Sequence, residues 1–184
     1  MRLKVLGAVI AGGQSRRFGS DKAEAMFRGK RLIDHVADSL RQQCDGLVIC
    51  GRHLDGFGCL VDRPRPGLGP LGGLAAALRY ARQHGFDGVL TSACDTPLIP
   101  QDLALHLVGP ESSIVVGQPL FGYWPASLSV DLDDFTACSQ SLAMREWAVW
   151  AGARRIRLEV PVHNINTPGD FEALQSLEYG EASP

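Results

Sequence analysis

The chain has 184 residues, a length that suits one domain rather than several. Hydrophobic residues make up 45% and charged residues 21%, the proportions of a globular protein that builds its own core. The net charge of −2 leaves no basic field for nucleic acid, and no stretch reaches the roughly eighteen apolar residues that cross a bilayer.

Five scattered cysteines without a C-x-x-C pair fit neither a disulfide framework nor a zinc site. The N-terminal apolar run is short and lacks a cleavage-like site, so no signal peptide is read and a cytoplasmic protein is expected. That run, Val5-Leu6-Gly7-Ala8-Val9-Ile10, predicts a buried strand. It leads into Ala11-Gly12-Gly13-Gln14-Ser15-Arg16-Arg17-Phe18-Gly19-Ser20-Asp21-Lys22. A strand followed by glycines, arginines and a lysine suits a phosphate chain. Glycine lets backbone N–H groups approach an anion, arginine meets phosphate oxygens with a planar fork, and lysine adds a mobile charge. The spacing matches neither the Walker A loop nor the G-x-G-x-x-G dinucleotide fingerprint.

A helix is predicted over 31–44, with Leu32, Val36 and Leu40 on one face. Strands follow over 47–50, ending at Cys50, and over 59–61, ending at Asp62. The loop 62–73 closes on Gly69-Pro70-Leu71-Gly72-Gly73, a proline-led helix start of the kind that faces anions, and the helix runs over 71–83. A fourth strand over 88–92 ends in Cys94-Asp95-Thr96-Pro97. A carboxylate there is placed to hold a divalent cation, or to close an Asx turn before Pro97.

A helix over 100–107, with Pro100 in its first turn, and a strand over 113–116 come next. From Gly117 the pattern changes: the aromatic, proline-punctuated stretch 118–125 reads as an antiparallel turn beside the sheet. Helices over 128–135 and 142–151, a strand over 154–160, and a closing helix over 168–177 capped by Thr167 complete the chain. Residues 178–184 read as a frayed tail. His35, His53, His84, His106 and His163 show no triad or ligand spacing and read as surface or structural. Cys94 reads as a small buried residue beneath the site rather than a nucleophile.

Alternating strands and helices predict an α/β fold, a doubly wound, mostly parallel sheet flanked by helices. Ligands of such sheets bind outside the carboxyl ends of the strands. That gathers the loops 12–22, 50–53, 62–73 and 93–97 into one candidate site.

Four ordered segments resemble the molybdenum cofactor guanylyltransferases, of the nucleotidyltransferase superfamily. They are A-G-G-x-S-x-R-F-G-x-D-K at 11–22, G-P-L-G-G at 69–73, C-D-x-P at 94–97 and N-x-N-T-P at 164–168. Two positions depart from the family pattern: Ile10 stands where leucine is usual, and Cys50 where an asparagine is common. The resemblance implies a Rossmann-like nucleotidyltransferase fold, Mg2+ as cofactor, and GTP and a molybdopterin-type acceptor as substrates. It implies catalytic roles for Arg17, Lys22 and Asp95, with Asp95 holding the metal. Nucleotide contacts fall to Ile10, Ala11, Gly12, Gly13, Lys22, Cys50, Asp62 and Asp95, and acceptor contacts to Gly69, Gly73, Asn164 and Asn166.

One domain over 1–184 is expected, with a nucleotide-binding half at 1–116 and an acceptor-binding half at 117–177. The expectation extends to a monomer without nucleic-acid or membrane partners, in transient contact with molybdenum-insertion or acceptor enzymes. Two alternatives are enzymes: a cytidylyltransferase for the same cofactor, against which Gly12-Gly13 speaks, and a sugar-phosphate nucleotidyltransferase. A third, a nucleotide-binding module without turnover, is disfavoured by the presence of Lys22 and Asp95.

Overall fold

All six residues of β1 (Val5–Ile10) are buried, and its side chains alternate between two cores. Leu6, Ala8 and Ile10 point into one, Val5 and Val9 into the other, as the period of two in an extended strand requires. The computed structural model describes residues 2–12, 22–159, 162, 164–165 and 169–170.

After β1 the described chain resumes with a 3-10 turn (Lys22–Glu24), the short strands β2 (Met26–Phe27) and β3 (Lys30–Arg31), and α1 (Leu32–Gln43). Next come β4 (Gly46–Cys50), β5 (Gly58–Leu60), α2 (Pro70–Gln83), β6 (Gly88–Ala93) and α3 (Leu103–Leu107). The remainder is β7 (Ser113–Val115), β8 (Gln118–Pro125), a 3-10 turn (Ala126–Leu128), α4 (Ser129–Cys138), α5 (Met144–Trp150) and β9 (Arg154–Ile156).

Among the described residues one seven-stranded sheet runs in the order β5-β4-β1-β6-β8-β7-β9. The pairs β5/β4, β4/β1, β1/β6 and β7/β9 are parallel, and β8 is antiparallel to both its neighbours. Helices α1 and α3 cover the face that carries Val9, Ile49 and Leu90, and α2, α4 and α5 cover the face that carries Ala8, Val48 and Val89. The expected doubly wound, mostly parallel sheet is therefore the observed one. Its first four parallel strands end on one side, and the candidate site lies there.

The stretch 118–125 is a full strand inside the sheet, not a turn beside it. Phe121 and Tyr123 enter one core and Trp124 the other, so apolar residues on both faces hid the alternation. The Trp124 indole N–H donates to the Thr91 hydroxyl at 3.1 Å, and that hydroxyl donates to the Gly122 carbonyl at 3.1 Å, which ties β8 to β6 inside the core.

The helix expected over 100–107 begins only at Leu103. Gln43, one helix away, donates to the Pro100 carbonyl at 3.0 Å and accepts the Ala104 N–H at 2.9 Å, and this clamp replaces the first helical turn. The strand expected over 154–160 stops at Ile156, and Val61 lies exposed beyond β5. Of the closing helix, Gly169 and Asp170 are helical, while its cap Thr167 and the tail 178–184 lie outside the described residues.

The β2–β3 hairpin was not anticipated. Its two-residue turn has φ of 51° at Arg28 and 74° at Gly29, the positive pair of a tight hairpin turn. His35 of α1 fastens it by donating from Nε2 to the Phe27 carbonyl at 2.7 Å, which is the structural role expected of this histidine.

Candidate active site

Three parallel strands end side by side, and the backbone ladder continues one residue past each. The Ala11 N–H donates to the Cys50 carbonyl at 2.9 Å, the Gly51 N–H to the Leu60 carbonyl at 2.9 Å, and the Cys94 N–H to the Ile10 carbonyl at 3.4 Å. This holds Gly12, Gly51 and Asp62 at one level. Gly51 has φ of 85°, and a Cβ on it would lie 2.4 Å from the Gly12 Cα. No other residue type fits there.

Asp62 stands in the space that these glycines leave. A Cβ on Gly12 would come within 3.6 Å of Asp62 Oδ2, and one on Gly72 within 2.9 Å of the Asp62 Cβ. The Arg63 N–H donates to the Gly72 carbonyl at 3.1 Å, which fixes the loop against the start of α2. Burial among these backbones raises the Asp62 carboxyl above its ordinary range. Asp62 is thus a half-buried acceptor walled by peptide groups. Arg52 lies alongside, its Nε donating to the Ala11 carbonyl at 3.3 Å.

Several residues expected at the nucleotide or acceptor also build the frame. Ile10, Ala11 and Cys50 are buried. Cys50 is fully buried and presents no side-chain surface to a ligand, and that burial pushes its thiol up to about 12, with smaller contributions from Asp62 and Cys59. Gly73 occupies a packing position as well: a Cβ there would meet the Cys50 Cβ at 3.0 Å and Ile10 Cδ1 at 3.2 Å. Small size at Gly73 lets α2 lie close on the sheet. Gly69 remains exposed at the cap of α2, whose N-terminal end carries the positive pole of the helix.

A second cluster forms beyond β6. Asp95 is half-buried, and its carbonyl accepts the Ile165 N–H at 2.9 Å. Ile165 itself is buried among Phe27 and Leu32, so the unanticipated hairpin and α1 together set the position of Asn164. The hydroxyl of fully buried Thr96 lies 3.2 Å from Asp95 Oδ1 and 2.8 Å from Asn164 Oδ1. The Asn164 amide donates in turn to Gln118 Oε1 at 3.1 Å. Asp95 and Asn164, 69 residues apart in the chain, thus share one bridging hydroxyl. Thr96 and Gln118 were missed by sequence reasoning: nothing local marks Gln118, which stands 46 positions from its partner. Cys94 is half-buried rather than fully so.

Gly13, Arg17 and Asn166 lie outside the described residues, as does the Lys22 side chain, although the Lys22 backbone opens the first 3-10 turn. Among the described residues no three His, Cys, Asp or Glu side chains converge on one point. The donors beside Asp95 are a hydroxyl and an amide oxygen. One carboxylate with neutral oxygen neighbours suits a hard cation that takes its other ligands from phosphates and water.

Residues 7–155 match the MobA-like NTP transferase domain. The molybdenum cofactor guanylyltransferase of Cereibacter sphaeroides is 34% identical, over 95% of this chain and 97% of that one. Its namesake from Rhizobium leguminosarum bv. trifolii is 31% identical, over 96% and 95%. The crystal structure of molybdopterin-guanine dinucleotide biosynthesis protein A from Archaeoglobus fulgidus shares the fold with a TM-score of 0.77 at 22% identity, covering 95% of this chain and 99% of that one.

Proposed function

This chain belongs to the MobA-like NTP transferase family, and on that premise we propose that it transfers GMP from GTP to molybdenum-bearing molybdopterin, forming the guanine dinucleotide cofactor and pyrophosphate. The observation that carries this reading is the glycine-walled carboxylate at the strand ends. Asp62 packs against Gly12, Gly51 and Gly72, at the carboxyl ends of the parallel strands where ligands of such sheets bind. A carboxylate accepts from both N1–H and N2–H of guanine, a pair of donors that adenine and cytosine do not offer.

In the reaction a terminal phosphate oxygen of the acceptor attacks the α-phosphorus of GTP. The bond from that phosphorus to the β-phosphate bridging oxygen breaks, and pyrophosphate leaves. The attacking oxygen is already anionic near neutral pH, so the protein supplies no base. Its contribution is positioning and charge stabilisation. The backbone of Gly12 and Gly13 cradles the nucleotide, Arg17 and Lys22 hold the triphosphate, and Gly69, Asn164 and Asn166 face the acceptor. Asp95 holds Mg2+, which when bound neutralises charge on the phosphates.

In this reading the chain acts in the cytoplasm as a monomer that meets molybdenum-insertion and acceptor enzymes transiently. Within the described residues no helix is long and apolar enough to cross a membrane.

The test is incubation with each of the four nucleoside triphosphates, Mg2+ and molybdopterin, reading pyrophosphate and the dinucleotide product. GTP is expected to give both. Preferred turnover of CTP would make the chain a cytidylyltransferase instead, and turnover only with a sugar phosphate as acceptor would move it to that branch.

A further inference from the structure

We propose that the groove between α5 and the β7–β9 edge of the sheet holds the pterin ring of the acceptor, with Glu146 reading the amino edge of that ring; this rests on the molybdopterin acceptor proposed above. The groove has a volume of about 670 Å³. Ile114, Pro119 and Val149 give it apolar walls, and Arg145, Glu146 and Arg155 stand along it. Arg155 pairs with Ile114 in the β7–β9 ladder, so both side chains project from the sheet face that α5 covers. Apolar walls with a few polar groups are the make-up of a small-molecule site.

The charged groups of this groove are not spent on one another. Among the described residues no hydrogen bond or ion pair engages the side chains of Arg145, Glu146 or Arg155, whereas the neighbouring Arg154 lies 3.8 Å from Glu111. Val149, on the same wall, is 83% exposed and leaves apolar surface open beside them.

The groove adjoins the acceptor cluster. The side-chain amides of Asn164 and Gln118 meet at 3.1 Å, and the residues on either side of Gln118, Gly117 and Pro119, line the groove. An acceptor with its terminal phosphate near Asn164 has this groove beside it for its other end. That end is a pterin, whose 2-amino and N3–H groups stand side by side as donors. A carboxylate accepts from both, and Glu146 is the carboxylate that lines the groove. The 4-oxo oxygen and the sulfur-bound metal centre are electron-rich, which suits the guanidinium groups of Arg145 and Arg155.

The experiment reads KM for molybdopterin at saturating GTP, with GTP affinity measured separately by calorimetry. Glu146→Gln is expected to raise KM about tenfold, the effect of losing hydrogen bonds to a charged group, with kcat and GTP affinity close to the parent values. Competition supplies the second readout. Against the parent, pterin-6-carboxylate is expected to inhibit better than lumazine-6-carboxylate, in which an oxo group replaces the 2-amino group. Glu146→Gln is expected to abolish that preference, which a carboxylate kept only for the first turn of α5 would not set. Val149→Asp alters an exposed wall residue, does not depend on Glu146, and is expected to raise KM as well.

If the parent forms no product from GTP and molybdopterin, the function proposed above fails and takes the groove with it. If product forms while both variants keep the parent KM, the groove alone is overturned. A raised KM with the pterin preference intact in Glu146→Gln overturns the reading of the ring edge by Glu146.

Discussion

Gly51 and Gly12 meet across the ends of β4 and β1 so closely that a Cβ on Gly51 would sit 2.4 Å from the Gly12 Cα and 2.7 Å from the Gly12 N. The same glycine has a φ of 85°, so two independent constraints exclude a side chain. Gly51→Ala is expected to lose about 2 kcal/mol or more of stability, from the left-handed conformation and the forced separation of the two strand ends. Urea unfolding measures the loss. GTP affinity is expected to fall in the same variant, because the wall beside Asp62 moves.

The raised titration of Asp62 carries a pH signature. In the native state burial makes this carboxyl hold its proton more tightly than in the unfolded chain. As pH rises from the unfolded carboxylate range through the higher native value, the native state loses stability from this group, and the penalty then persists to neutral pH. Asp62→Asn is expected to remove that penalty. The variant should exceed the parent in urea midpoint near neutral pH, with the difference shrinking to nothing in acid, while its affinity for GTP drops. Midpoints measured from about pH 3 to about pH 7 decide the matter. A difference that grows in acid would contradict the role of burial.

Thr91 offers a prediction about the fold away from the site. Its hydroxyl accepts from the Trp124 indole and donates to the Gly122 carbonyl, and both it and Trp124 are fully buried. Thr91→Val keeps the shape and strips both bonds, leaving the indole N–H without its partner. The expected cost is about 1–3 kcal/mol by thermal or urea unfolding, with GTP affinity unchanged in the folded fraction.

What the sequence made legible was local. β1, α1, α2 and β6 announce themselves because apolar spacing or an unbroken apolar run lies within one element. β8 did not, because Phe121 and Trp124 point to opposite faces and both faces are core. The start of α3 depends on Gln43, more than fifty residues earlier, and no local pattern reports that clamp. β2 and β3 have two residues each, too few for alternation to show. In the site the motif glycines were recognised as a set, yet their duties differ. Gly12 and Gly72, together with Gly51, which no motif marks, shape the space around Asp62, whereas Gly73 lets α2 sit on Cys50 and Ile10. The link from Gln118 through Asn164 to Thr96 joins three segments far apart in the chain, and only folding brings it into view.

Asp95→Asn is expected to reduce guanylyl transfer by about 2–4 kcal/mol of transition-state stabilisation, since a neutral amide holds the divalent cation poorly where the leaving group gains charge. The fold should be retained, because the Asp95 carbonyl, which anchors Ile165, is unaffected by the change. Turnover measured against rising Mg2+ tests both halves. Parent-like turnover at limiting Mg2+ would remove Asp95 from the metal site.

Lys22 variants test which of the two substrates the loop after β1 serves. Its neighbour Ala23 is buried against the core face shared by Val9 and Ile33, which anchors the 3-10 turn of Lys22 close to β1 and α1. The proposed role of Lys22 is to hold the triphosphate rather than the acceptor. Lys22→Ala is expected to weaken GTP binding or guanylyl transfer at least tenfold, by about 1.5–3 kcal/mol for one lost charge-assisted contact, with acceptor affinity nearly unchanged. Arg17→Lys is expected to fall in the same direction, because an ammonium cannot reproduce the two-pronged grip of a guanidinium on phosphate. Separate titrations of each variant with GTP and with acceptor distinguish the outcomes. If acceptor affinity fell and GTP affinity held, the loop after β1 would belong to the acceptor, and the triphosphate would need its cations from elsewhere in the chain.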